Sequence, residues 1–480
     1  MQNPWKGVIL PYVKSLERCN FKKNIYSKGL MRRKIYDELL RWKREENGSV
    51  ALMIDGARRV GKSYIAEEFA KNEYKSHILI DFVHVDDSVK QFFLDYKDDY
   101  DSLFTHLSLY FRVKLYDRES LIIFDEVEEF PKAREAIKYL VKDGRYDYLE
   151  TGSLISINSN VKDIHIPSEE RRIKMYPMDF EEYLWATGED MLMAYIRSQY
   201  EKKEALEPSF HRRAMNYFRQ YVIVGGMPQA VKRYVDTRDF ELTERIKRDI
   251  INLYRADIKK YAGGYCNKVL KIFDTIPGQL QKHEKKFTLS SLKEEARFRE
   301  YENSFKWLEE SMVVNVCYGA SDPSVGLRLK EQDSTLKLYI ADTGLLITLA
   351  FDERTIAQDE LYRKLMLDKL EINQGMLVEN VVAQMLVVSG HNLFFYSSYS
   401  KDNSADTMEI DFLIRKPVVT SRHNISPIEV KTGKNYTLTS LNKFRAKYGS
   451  KLATAYIVHD GQLRIGENEI YLPYYMVPCL

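Results

Sequence analysis

Gly56-Ala57-Arg58-Arg59-Val60-Gly61-Lys62-Ser63 places two glycines, a lysine and a hydroxyl at the spacing that holds a chain of phosphates. Glycines let successive backbone N–H groups curl round phosphate oxygens with no Cβ in the way. A helix starting at Lys62 would add the partial positive charge of its N-terminus. Lys62 would then reach the β- and γ-phosphates of ATP, and Ser63 would ligate Mg²⁺. The context fits: an apolar run, VALMID, precedes the loop and a helical stretch, SYIAEEFAKN, follows it, so the cradle extends to Tyr64.

A second group lies at Leu121-Ile122-Ile123-Phe124-Asp125-Glu126, four apolar residues and then two carboxylates. Ligands of open α/β sheets bind beyond the carboxyl ends of the strands. Asp125 is therefore the candidate for the Mg²⁺ shell, and Glu126 for orienting the attacking water. Glu128 and Glu129 follow directly and also fit a solvated acidic turn. Thr151-Gly152-Ser153 ends the next apolar run, with Ser153 the candidate for sensing the γ-phosphate. Arg171 and Arg172 are candidates for an arginine finger, in cis or from a neighbouring subunit of a homo-oligomer. A surface pair balanced by Glu169 and Glu170 is the alternative.

A third group is C-terminal. Glu429 and Lys431 lie two apart in PIEVK, so a strand would project them from one face. With Asp411 in EIDFLI, and Glu379 in LVENVVAQML as a further acid, they make the set that metal-assisted phosphodiester cleavage uses. An exposed salt bridge on a half-solvated strand is the other reading of the same spacing.

These groups need elements to position them. Apolar runs at 77–83, 120–127 and 148–153, with SVALMIDG before them and 171–178 after, alternate with helical stretches. That alternation predicts a parallel sheet covered by helices over 31–180, after a lead-in over 1–30. Amphipathic helical sequence fills 181–261, broken at Gly225-Gly226-Met227-Pro228. Within 262–345, residues 287–316 suggest helix, turn, helix and strand, similar to a winged helix. Tyr301, Phe305 and Leu308 would form its core face, and Arg299, Asn303 and Lys306 a DNA-reading face, against Glu300, Glu302, Glu309 and Glu310 on the same helix. Residues 346–480 predict a mixed α/β unit with a helix over 375–388 and strands over 409–415 and 426–431.

The 480 residues suit about three domains at roughly 150 residues each. Net charge is only +3, so DNA contact would need local patches rather than a chain-wide basic field. Cys19, Cys266, Cys317 and Cys479 form no CxxC pair, which argues against a zinc site or a disulfide framework. No apolar run approaches the roughly 20 residues of a membrane helix, so the expectation is a cytoplasmic protein with no membrane partner.

GARRVGKS, LIIFDE, TGS, YPMDFEEYL, YVIVGGMP, KLYIADTGLL, EIDFLI and PIEVKTG, in this order, resemble the prokaryotic AAA-type ATPases that carry a C-terminal winged helix and a PD-(D/E)XK nuclease-like domain. The resemblance runs from Gly29 to Lys434. It implies a multidomain α/β protein: a P-loop AAA-type parallel sheet with a helical lid over 181–261, a winged-helix-like unit, and a restriction-endonuclease-like domain over 346–480. It implies Lys62 and Ser63 at phosphate and Mg²⁺, Asp125 and Glu126 in metal binding and hydrolysis, and Glu379, Asp411, Glu429 and Lys431 as one nuclease-like set. Relatives often carry a glycine–arginine step before the YPM strand. Here SEERRIKMYPM stands in its place, leaving both Arg171 and Arg172 as finger candidates. DNA and a protein are the candidate partners beyond ATP.

Overall fold

The computed structural model describes residues 31–153, 168–282, 285–323, 326–351, 374–400, 406–415, 424–433 and 435–480. After helix α1 (Ile35–Glu46), strands β1 (Ala51–Asp55), β2 (Ser76–Asp81), β3 (Ser120–Asp125), β4 (Asp147–Gly152) and β5 (Glu170–Lys174) form one parallel sheet in the order β2-β3-β4-β1-β5. Between them run α2 (Lys62–Glu73), α3 (Asp87–Asp95), α4 (Tyr100–Phe111) and α5 (Pro131–Asp143). β1, β3 and β4 are buried along their whole length, as strands covered on both faces must be. Their side chains alternate between two cores. Leu52, Ile54, Leu121, Ile123 and Leu149 face one, while Ala51, Met53, Ile122, Phe124 and Tyr148 face the other.

Five helices follow: α6 (Phe180–Ala186), α7 (Leu192–Lys202), α8 (Pro208–Val224), α9 (Pro228–Thr237) and α10 (Phe240–Tyr261). Asp179 starts α6 with a capping box closed by Glu182. The chain continues through α11 (Cys266–Leu280), α12 (Glu302–Glu310), β6 (Val314–Ala320), β7 (Glu331–Ile340) and α13 (Thr343–Ala350). It ends with α14 (Gln374–Val388), β8 (Phe394–Ser398), β9 (Met408–Arg415), β10 (Ile425–Val430), α15 (Thr439–Tyr448), β11 (Ala455–His459), β12 (Arg464–Ile465) and β13 (Glu469–Pro473).

The second half departs from the sequence reading in two ways. The helix expected ahead of α12 is replaced by short 3₁₀ turns at Leu289–Ser291 and Phe298–Glu300. Side chains of α11 hold the first of these turns: Lys271 Nζ donates to the Leu292 carbonyl, and Gln279 Nε2 to the Ser291 hydroxyl. Arg299, Asn303 and Lys306 are exposed, and so are Glu300, Glu302 and Glu309. The β6–β7 hairpin is also not a free wing. β6 pairs in parallel with β8, so both strands join an eight-stranded mixed sheet, β12-β13-β11-β10-β9-β8-β6-β7. The boundary expected at 345 thus falls inside α13, in one shared core with Tyr339, Leu346, Met376 and Phe412.

Candidate functional site

The phosphate loop leaves the carboxyl end of β1 and turns into α2. Gly61 has φ +97°, a conformation that suits glycine. Arg59 (φ +69°) and Glu126 (φ +50°) are non-glycine residues in the left-handed region, each held there at a cost of about 1–3 kcal/mol. Both line a cleft of about 570 Å³ together with Lys62, Ser63, Tyr64 and the start of α9. Lys62 is buried, and its ammonium donates to the carbonyls of Gly56 (2.9 Å) and Ala57 (3.2 Å).

Asp125 ends β3 beside this loop. Burial raises its pKa, and hydrogen bonds from the Ser63 and Thr151 hydroxyls offset part of that rise. Thr151 thus supports Asp125, and it also accepts from the Glu126 N–H at 3.3 Å. Ser153 is placed differently. Its N–H and hydroxyl both donate to Glu128 Oε1, at 3.1 and 3.3 Å, and it lines a separate small cavity with Arg58, Tyr254 and Asp257.

Glu128 belongs to no solvated turn. It is 3% exposed, and burial, followed by the nearby charge of Glu126, pushes its pKa up to about 8. A carboxyl raised in the folded state holds a proton that the unfolded chain loses near pH 4.3. The folded state then binds more protons, so stability falls as pH climbs from there through 8. Glu128→Gln keeps the acceptor for Ser153 and removes this contribution. The drop in Tm between pH 6 and pH 9 should therefore be smaller in Glu128→Gln than in wild type, and equal drops would refute the assignment.

Residues ahead of α1 and on α10 tie the loop to its surroundings. Arg33, just ahead of α1, is buried and donates to the carbonyls of Val60 (2.8 Å) and Tyr176 (2.7 Å). Arg58 pairs with Asp257 of α10 at 2.6 Å, and Tyr254 donates to the Arg58 carbonyl at 3.1 Å. The finger candidates lie elsewhere. Arg171 and Arg172 stand on edge strand β5, opposite Leu52 and Met53 and short of its cleft end. Arg171 pairs with Glu46 and Arg172 with Glu170 (2.7 Å), and neither lines the cleft. Arg33 and Asp257 carried no spacing signal in the sequence. Glu128 was visible there, but its burial was not.

At the turn between α8 and α9, the sheet domain, the helices and the C-terminal half meet. A Cβ on Gly225 would stand 2.2 Å from Asp342 Oδ1, and one on Gly226 would stand 2.0 Å from the Met178 carbonyl, which only glycines allow. The Gly226 N–H donates to Asp342 Oδ2 at 2.5 Å, and its carbonyl accepts from Met178 N–H at 2.6 Å. Asp342 also caps α13 by accepting from Leu345 N–H at 3.0 Å. Buried Lys247 of α10 donates to the Ile223 carbonyl at 2.9 Å and lies 3.4 Å from that of Gly344. Pro228, Gln229 and Lys232 of α9 line the phosphate-loop cleft.

At the C-terminal sheet, Glu379, Asp411, Glu429 and Lys431 lie in one cluster, buried at Glu379 and Glu429 and part-buried at Asp411 and Lys431. Lys431 pairs with Glu429 at 2.6 Å, and Glu429 is 3% exposed, so this strand is not half-solvated. The cluster holds more than the sequence showed. Fully buried Lys337 of β7 reaches Glu409 (2.7 Å), Glu379 (3.4 Å) and Asp411 (3.9 Å). Lys285 pairs with Glu379, and the Tyr339 hydroxyl donates to it at 2.5 Å. Burial opposes ionisation of Glu379, but Lys337 and Lys285 outweigh it and hold its pKa down at about 2. Burial and the charge of Asp411 push Glu429 up to about 8, against the pull of Lys431. Lys337 and Tyr339 lie two apart in LKLYI and so project from one face of β7. Among the described residues, no group of three or more His, Cys, Asp or Glu side chains is arranged to hold a metal ion, and no helix is long and apolar enough to cross a membrane.

Three family models match the chain: the AAA domain over residues 49–184, a domain of unknown function (DUF8612) over 215–355, and another (DUF4143) over 374–477. No curated protein matches. Solved structures with some likeness include the Walker-type ATPase PABY2304 of Pyrococcus abyssi, at 14% identity over 68% of this chain and 97% of that one, with a TM-score of 0.40. The Drosophila ORC bound to DNA shows 14% identity over 73% and 100%, with a TM-score of 0.28. Cdc6p from Pyrobaculum aerophilum shows 12% over 72% and 98%, at 0.26. Likenesses this distant bear on neither substrate nor partner. The parallel sheet, the phosphate loop and the family match together make residues 49–184 an AAA-type P-loop domain.

Proposed function

We propose that the chain binds and hydrolyses ATP in the phosphate-loop cleft, and that nucleotide state sets the pose of the helical lid and, through it, of the C-terminal half. Ser63 and Asp125 would hold Mg²⁺, which supplies positive charge at the phosphates. Lys62 exchanges its loop carbonyls for β- and γ-phosphate oxygens, and Glu126 orients and polarises the attacking water. Arg171 or Arg172 acts as a finger only in trans, once its own ion pair opens. The observation that carries the coupling is the Gly226–Asp342 hydrogen bond, which joins the turn into cleft-lining α9 to the cap of α13.

Hydrogen exchange of Glu126→Gln, which should bind ATP without turning it over, tests this coupling. On adding MgATP, amides of 226–237 and 343–350 should change protection together. A change confined to 56–64 would refute it.

For the C-terminal half we propose a nuclease-like domain that grips DNA. A second reading, a switch that docks a protein on a silent nuclease fold, is favoured by the acidic residues exposed beside Arg299 and Lys306. A gel shift at low salt separates the two: DNA binding that falls steeply with salt supports the first, and none at low salt leaves the second.

A further inference from the structure

The resemblance implies a divalent cation among Glu379, Asp411 and Glu429, and the residues present do not fit one. Mg²⁺ takes oxygen ligands at about 2.0–2.1 Å in near-octahedral array. Here the carboxylate oxygens already face proton donors. Lys337 lies against Glu379 Oε1, Glu409 Oε1 and Asp411 Oδ1. Lys285 takes Glu379 Oε2, Lys431 takes Glu429 Oε2, and the Val430 N–H donates to Asp411 Oδ2 at 2.8 Å. Glu429 Oε1 has no hydrogen-bond partner, and Asp411 Oδ1 has Lys337 at 3.9 Å, an ion-pair distance. Among the described residues no three acidic, His or Cys side chains converge as a metal site, and an ammonium fixed between three carboxylates would repel a divalent ion.

We infer that the Lys337 ammonium is the resident cation of this cluster, standing where a divalent metal would, and that the cluster works as a metal-free lock fastening β7 to α14, β9 and β10. Lys337 is well suited to the part. It comes from edge strand β7 of the same sheet and is fully buried. Its ammonium spans acids from two elements, Glu379 on α14 and Glu409 and Asp411 on β9. A buried charge is tolerated only when its partners surround it in this way. The lock holds the β6–β7 hairpin and the C-terminal strands as one body, so the hairpin is not free to move as a wing.

Mn²⁺ binding to the full chain without nucleotide, counted by electron paramagnetic resonance, tests this independently of ATP turnover. Wild type and Asp411→Asn should bind the same number of Mn²⁺ ions, because wild type holds none in the cluster. Lys337→Met should gain one Mn²⁺, and Lys337→Met/Asp411→Asn should lose it again. An extra Mn²⁺ in wild type relative to Asp411→Asn would overturn the inference. So would a folded Lys337→Met that gains none. Should Lys337→Met fail to fold, the wild type and Asp411→Asn pair still decides.

Discussion

Lys62→Ala should bind ATP roughly 30-fold more weakly than wild type, or worse. The Lys62 ammonium is buried at the root of the cleft, and neutral carbonyls of Gly56 and Ala57 are its present partners. Phosphate oxygens carry full charge, so moving to them turns ordinary hydrogen bonds into charge-assisted ones of about twice the strength. Truncating one partner of a buried charged pair costs about 2–5 kcal/mol, and each 1.4 kcal/mol is tenfold in affinity. Titration with a fluorescent ATP analogue measures the loss. A melting curve on the same sample separates it from unfolding, because the Gly56 and Ala57 carbonyls also lose a donor. Unchanged affinity in a folded Lys62→Ala would remove the lysine from the site.

Asp342→Ala should be the most damaging single change far from the cleft. Losing a helix N-cap costs about 0.5–2 kcal/mol. Leaving the buried Gly226 N–H without its acceptor costs about 1–3 kcal/mol more. The contacts at stake are the 2.5 Å bond to Gly226 and the 3.0 Å bond to Leu345. Urea unfolding should show a loss of about 1.5–5 kcal/mol, with Asp342→Asn recovering part because an amide oxygen still accepts. ATP affinity should also fall, since α9 begins at this turn and lines the cleft. A stability within about 0.5 kcal/mol of wild type would show that the junction is no such anchor.

The phosphate-loop half was legible because its signals are local. Four apolar runs and the RRIKMYPM segment became five parallel strands, and the loop, Asp125 and Glu126 all fall at the carboxyl ends that a doubly covered sheet offers. Its supports were not legible, because they come from far along the chain: Arg33 reaches Val60, and Asp257 reaches Arg58. The C-terminal half was legible only in part. The helix over 374–388 and the strands bearing Asp411 and Glu429 could be read from their patterns. β7, β8, β11, β12 and β13 were not assigned. Pairing β6 with β8 needs contacts across more than 70 residues, which periodicity does not report. Lys337 was hidden for a related reason. A lysine in an apolar strand is read as surface unless the acids that meet it are known, and those lie on α14 and β9.

Glu126→Gln, with ATP binding and phosphate release measured on the same preparation beside wild type, tests hydrolysis at this cleft most directly. Gln keeps the size of the side chain but cannot polarise water as a carboxylate does. The expected result is binding close to wild type, with phosphate release lower by about 10²–10⁴-fold, the contribution of a positioned base. Equal turnover in Glu126→Gln and wild type, or a wild type that binds ATP but releases no phosphate, would contradict hydrolysis at this cleft.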